Sequence, residues 1–246
     1  MVEILNKTEW FGHTLENVRI HDTDKVSVPC TILWPKNAAY PCRFVIATHG
    51  ATSSKHEWTE MDGYTKGGNL SRLLLDACVA LVAMDWHYHG DNDTRNLNGR
   101  NVFEEQFFED FFTRSVADIQ AVINYSKQHK KLDENRMGFA GYSLAGMFGI
   151  WLSNNGADFK TLLLCVPGAN RSSTTPYAIV NNLETIGEQA VLQLSAEQDE
   201  YIEFDDAKWL FSQIPVKNKT FYSFQSGHSL PIDYVSIAAG WLSREL

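Results

Sequence analysis

The sequence predicts an α/β fold, with a mostly parallel central sheet of about eight strands and helices on both faces. Three observations predict it. From about residue 43 onward, short aliphatic runs alternate with longer segments of helical spacing, the pattern of parallel strands joined by crossover helices. The runs are apolar throughout instead of alternating, as strands buried on both faces must be. Residues capable of chemistry fall directly after several runs, at the strand ends where such sheets collect functional groups.

Taken in order, Glu16–His21 and Val26–Trp34 read as an opening hairpin, and Arg43–Thr48 as the first buried strand. Gly67–Ala77 has helical spacing through Leu70, Leu73 and Leu74; Val79–Met84 is a strand and Phe103–Lys130 a long helical region. Arg136–Ala140 is a strand with the helix Leu144–Asn154 directly behind it, and Thr161–Val166 is a strand ended by Pro167-Gly168. Ala190–Leu194, a helix at about Asp205–Ile214, the strand Lys219–Phe224 and a helix from about Pro231 to Arg244 complete the chain. The connection Pro167–Gln189 has room for one short helix, from about Tyr177, which predicts no large cap domain and a fairly open site.

Composition narrows the function classes. With 44% apolar and 21% charged residues and no linker, repeat or low-complexity tract, residues 1–246 read as a single globular domain. Lys and Arg number 21 against 30 Asp and Glu, a net charge of −9, which excludes a nucleic-acid partner that needs a cationic face. Apolar runs such as Val79–Met84 are far shorter than the ~20 residues of a membrane span. The first ten residues carry acids where a signal peptide carries a basic region, so a cytoplasmic location is expected. Cys30, Cys42, Cys78 and Cys165 are scattered and read as reduced packing residues. No motif bears on oligomeric state, and a homodimer is left open.

The stretch Gly141-Tyr142-Ser143-Leu144-Ala145-Gly146 lies between a strand and a helix, the context in which a serine hydroxyl is raised above a sheet on a tight turn. The residues two before and two after the serine must be small, and Gly141 and Ala145 are. The second glycine of Gly-x-Ser-x-Gly is displaced by one position, to Gly146. Ser143 is the candidate nucleophile. The Leu144 N–H, at the helix start, is one candidate oxyanion donor, and the Ala51 N–H, in the His49-Gly50-Ala51-Thr52 loop, is the other. His49 reads as a residue shaping that loop. The candidate acid is Asp199, in Ser195-Ala196-Glu197-Gln198-Asp199-Glu200 after a strand, with Glu197 and Glu200 as competitors. The candidate base is His228, after Gln225-Ser226-Gly227 and before the last helix. The chain order Ser143, Asp199, His228 matches one of the known orders of the serine triad.

On these residues, from the His49-Gly50 loop to Gly227-His228, the chain resembles the α/β-hydrolase superfamily, and most of all its dienelactone-hydrolase-like and small serine esterase branch. The turn Asp85-Trp86-His87-Tyr88-His89-Gly90 is similar to that branch's Asp-x-x-Gly-x-Gly loop, from which Tyr88 and His89 depart. Dienelactone hydrolases use a cysteine where this chain has Ser143. The resemblance implies carboxylic ester hydrolysis of the carboxylesterase class, less often thioester or amide hydrolysis, with a small-molecule substrate and no metal or organic cofactor. Tyr142, His87 and His89 are the candidate substrate contacts; loop hydrogen bonding is the other role open to the two histidines.

His87-Tyr88-His89-Gly90-Asp91 imitates a His-x-His-x-Asp metal motif, but Asn92 follows where a fourth ligand would stand, so no metal site is expected. Phe103, Phe107, Phe108, Phe111 and Phe112 form a stripe at helical spacing that reads as core, with lining of an acyl pocket as the alternative. Arg95 and Arg100 read as solvated. Against the esterase stand three other readings: a thioesterase or peptidase on the same triad, a hydrolase fold reused for binding or sensing, and a metal-dependent hydrolase.

Overall fold

The structure is a computed structural model, described for residues 1–22, 26–92, 105–169, 181, 183 and 187–246. In chain order the strands are β1 (Val2–Trp10), β2 (His13–His21), β3 (Ser27–Trp34), β4 (Cys42–Thr48), β5 (Ala80–Met84), β6 (Leu132–Tyr142), β7 (Thr161–Cys165), β8 (Ala190–Ala196) and β9 (Lys219–Phe224). The helices are α1 (Gly67–Asp76), α2 (Glu105–Gln128), α3 (Leu144–Asn154), α4 (Phe204–Gln213) and α5 (Tyr234–Glu245). The strands form one sheet in the order β1-β2-β3-β5-β4-β6-β7-β8-β9. β1, β2 and β3 run antiparallel to their neighbours, and every pairing from β5 through β9 is parallel.

Each central strand feeds two cores. Phe44 and Ile46 of β4 face one side, where Phe111 and Ile119 of α2, Phe148 of α3 and Leu210 of α4 cover them. Val45 and Ala47, one residue along, face the other side with Leu70 and Leu74 of α1 and Ala238 and Leu242 of α5. Since successive strand side chains point to opposite faces, a strand covered on both must be apolar at every position. That is the physical origin of the continuous runs in the sequence.

Among the described residues the sheet has nine strands, one more than expected, and the addition is β1. All of it is exposed except the half-buried Trp10, with Ile4 at 58% and Leu5 at 51%. A strand without a buried face carries no period, so only its ladder to β2 reveals it. The opening hairpin is thus a three-stranded antiparallel edge. The short helix expected from Tyr177 lies outside the described residues, as do Phe103, Arg95 and Arg100. Among the described residues no helix is long and apolar enough to cross a membrane, and all four cysteines are free.

Candidate active site

The carboxyl ends of β4, β5, β6, β8 and β9 bring the candidate residues to one edge of the sheet. At the end of β6 the chain turns sharply into α3 through Ser143, whose φ of 55° and ψ of −115° lie in a region non-glycine residues seldom adopt. Space dictates the neighbours. A Cβ on Gly141 would stand 2.6 Å from the Ala145 carbonyl group, so only glycine permits the turn. The displaced glycine is needed for a different contact, because a Cβ on Gly146 would come within 2.7 Å of the Pro167 side chain. The turn is held by Ser143 N–H donating to the Cys165 carbonyl (2.8 Å) and Gly146 N–H to the Ser143 carbonyl (2.9 Å).

Gly50 approaches Ser143 from the end of β4; a Cβ built on it would be 3.5 Å from the Ser143 Cβ. Leu144 is the first residue of α3, so its N–H has no helical partner. Among the described backbone hydrogen bonds of loops and turns, neither the Ala51 nor the Leu144 N–H is a donor. Backbone N–H groups without a partner beside a serine hydroxyl are what a developing oxyanion requires. The Ser143 hydroxyl itself has no hydrogen-bond partner among the described residues; such contacts commonly tighten only once substrate is bound.

His228 follows β9 and turns Nδ1 toward Asp199, 2.8 Å from Oδ2 and 3.0 Å from Oδ1. Burial alone would raise the Asp199 carboxyl, but His228 and the N–H groups of Tyr201 and Ile202 outweigh it and hold it below its ordinary value. The two competing acids have other partners. Glu200 Oε2 accepts the backbone N–H of His228 (2.9 Å), and Glu197 accepts from the Ser223 hydroxyl (2.7 Å).

Tyr142 faces inward. Its side chain is buried in the α1 and α5 core, and its hydroxyl donates to the His228 carbonyl (2.7 Å) and accepts from Leu230 N–H (2.9 Å). It ties the serine turn to the histidine loop. His89 has both ring nitrogens against loop carbonyl oxygens, Ala51 at 2.5 Å and His87 at 2.9 Å. His87 Nδ1 meets Asp118 Oδ2 at 2.9 Å, and Asn92 Nδ2 donates to the same oxygen. Asp91 turns to Lys55. Among the described residues no three His, Cys, Asp or Glu side chains converge as metal ligands do. In the phenylalanine stripe Phe111 and Phe112 are buried, and Phe112 stacks on Phe148 (4.7 Å), which stacks on Trp86 (4.3 Å). Those two belong to the core.

His49 is fully buried, with Nδ1 2.7 Å from the Gly50 carbonyl and Nε2 accepting from Trp86 N–H at 3.3 Å. Burial, and next the neighbouring His89, push its pKa down to about 3, so it is neutral at ordinary pH. Neutral imidazole has one N–H, here on Nδ1, pinning the carbonyl whose peptide carries the Ala51 N–H. What the sequence did not reveal is Lys55. It is buried and clamps Asp85 (Nζ to Oδ2, 2.7 Å; backbone N–H to Oδ1, 2.7 Å) and Asp91 (2.6 Å). Burial would lower its ammonium, but the two carboxylates overcome that and raise it. No local signal marks such a lysine, because its partners lie 30 and 36 residues away.

No protein-family model and no curated protein matches the sequence. Solved structures do match. A cold-adapted esterase from an Arctic intertidal metagenomic library, in a polyethylene-glycol-bound form, superposes with a TM-score of 0.76 at 18% identity over 98% of both chains. Acetyl xylan esterase 1 from Thermoanaerobacterium sp. JW/SL YS485 gives 0.76 at 14% identity over 99% of this chain and 87% of that one. An S-formylglutathione hydrolase from Agrobacterium tumefaciens gives 0.73 at 17% identity over 99% of both. At such identities the likeness is one of fold. The chain has the α/β-hydrolase fold, with no cap domain among the described residues.

Proposed function

We propose that the chain is a serine hydrolase that cleaves carboxylic esters of small molecules through an acyl-enzyme. The observation that carries this reading is the Asp199–His228 pair on the loops beside a strained serine turn, joined to that turn through the Tyr142 hydroxyl. His228 takes the proton of Ser143 as Ser143 attacks the acyl carbon, and Asp199 orients the imidazole and stabilises its charged form. The Ala51 and Leu144 N–H groups receive the developing oxyanion. His228 then protonates the departing alcohol, and water repeats the sequence to release the acid. The structural neighbours, two esterases and a hydrolase, support ester cleavage.

The S-formylglutathione hydrolase among those neighbours favours a second reading, cleavage of a thioester by the same residues. Both readings are tested by hydrolysis of p-nitrophenyl acetate, butyrate and octanoate and of a matched thioester, by wild type and Ser143→Ala together. We expect turnover to fall by about 10⁵-fold or more in the variant. Wild-type rates retained by Ser143→Ala would remove the serine from the mechanism. The ratio of oxygen ester to thioester decides between the two substrates.

A further inference from the structure

We propose that Tyr64, Tyr201 and Glu200 form a leaving-group subsite that selects esters of alcohols bearing a quaternary ammonium. The proposal rests on the ester hydrolase reading and names its substrate class. His228 delivers the proton to the departing alcohol, so side chains flanking its ring lie beside the leaving group. Tyr201 is such a side chain: its ring meets the imidazole edge-to-face at 5.0 Å and 80°, yet it is 76% exposed. Tyr64 is 52% exposed, and its hydroxyl lies within electrostatic reach of Glu200, Tyr201 and Asp199.

Both tyrosines are anchored at the backbone while their rings stay in solvent. Tyr201 N–H donates to Asp199 Oδ1 (2.9 Å), and the Tyr64 carbonyl accepts from the Ser229 hydroxyl (2.7 Å) and Lys66 Nζ (3.2 Å). Exposed aromatic rings beside the histidine loop are suited to a ligand and do nothing for the core. Glu200 sets the preferred charge. Its Oε2 accepts the His228 backbone N–H at 2.9 Å, and its side chain remains in solvent as a carboxylate. Glu197, Asp199 and Glu203 add negative charge in the same segment. The Lys66 ammonium is bonded to the Ser229 hydroxyl (2.7 Å) and the Tyr64 carbonyl, one positive charge against the carboxylates of Glu197, Glu200 and Glu203. A quaternary ammonium gains from both ring faces and from the carboxylate, a neutral group of the same shape gains only contact, and an anionic alcohol is repelled.

The test compares kcat/KM for acetylcholine with that for its uncharged isostere 3,3-dimethylbutyl acetate, at fixed ionic strength. Wild type, Tyr201→Ala, Tyr201→Phe, Tyr64→Ala and Glu200→Gln are measured, with the isostere as internal reference in each. Expected is a preference for the cationic ester of about tenfold. It should approach one in Tyr201→Ala and Glu200→Gln, fall partly in Tyr64→Ala, and survive in Tyr201→Phe, which keeps the ring. Tetramethylammonium should inhibit wild-type p-nitrophenyl acetate hydrolysis more strongly than that of Glu200→Gln. Equal rates on the two esters in wild type, or a preference that persists in Tyr201→Ala and Tyr64→Ala, overturns the subsite. If Ser143-dependent hydrolysis of p-nitrophenyl acetate is then intact, the hydrolase reading stands without it. No turnover of any ester overturns both.

Discussion

The two halves of the candidate site are built in opposite ways. The loops after β4 and β5 are held from inside, by the buried Lys55 ammonium between Asp85 and Asp91 and by the neutral His49 under the Gly50 carbonyl. The loops after β8 and β9 are held by carboxylates that accept backbone and hydroxyl hydrogen bonds, Glu197 and Glu200 in solvent and Asp199 beneath them. The first half presents backbone N–H groups, which act only if their direction is fixed before the reaction, so a rigid, dry mounting suits it. The second half holds the proposed acid and base, and hydrogen bonds keep the acid's carboxyl below its ordinary value although its side chain is only 2% exposed. Rigidity at the first comes with brittleness, because a buried charge stripped of its partner is costly.

The sharpest way to break this comparison is to exchange consequences between the halves. Asp199→Asn should lower kcat by about 10⁴-fold while leaving urea stability nearly unchanged, since it alters the imidazole's partner and not the packing. A comparably large loss of stability would mean that the second half is as structural as the first. Lys55→Met should do the reverse: it leaves Asp85 buried without its cation and should cost about 3–5 kcal/mol in urea unfolding. Stability within ~1 kcal/mol of wild type would show that this ion pair does not hold the loops.

A pH series sharpens the contrast further. The pKa of His49 is lowered to about 3 in the folded chain, against an ordinary value near 6.5 when unfolded. Between those values the unfolded chain binds the proton and the folded chain does not. The neutral histidine's stability is therefore complete above about pH 6.5 and is lost as pH falls toward 3. From pH 7.5 to 5.0 this group should remove about 2 kcal/mol, and His49→Gln should unfold with a pH dependence shallower by that amount. Urea midpoints at the two pH values for both proteins check it; parallel pH curves would mean His49 is not held neutral. Smallest is Glu197→Gln. Its exposed bond to Ser223 is worth no more than about 0.5 kcal/mol, and kcat should stay within about twofold. A collapse of kcat there would move the triad acid from Asp199 to Glu197.

The serine turn was legible because local chemistry writes local spacing. A strand, small residues two before and two after a serine, and a helix behind it leave a steric signature at Gly141, Ser143 and Ala145 that needs no tertiary knowledge. The Asp199 choice was harder. Glu197, Asp199 and Glu200 occupy one loop, and spacing barely distinguishes them; their partners, Ser223, the His228 ring and the His228 N–H, belong to a strand and loop more than twenty residues on. The burial of Tyr142 was hidden for a related reason. Its position beside Ser143 suggested a substrate contact, whereas side-chain alternation turns it into the opposite core.

By itself the sequence determined the alternation of strands and helices, the doubly covered sheet and the serine turn, since each arises from forces acting between near neighbours in the chain. The tertiary structure alone decided the ninth strand, the burial of Lys55 with Asp85, the tie from Tyr142 to His228 and the aromatic rim of Tyr64 and Tyr201. These depend on groups far apart in sequence meeting at a common depth in the fold, where exclusion of water, and not local propensity, sets what each side chain is bound to.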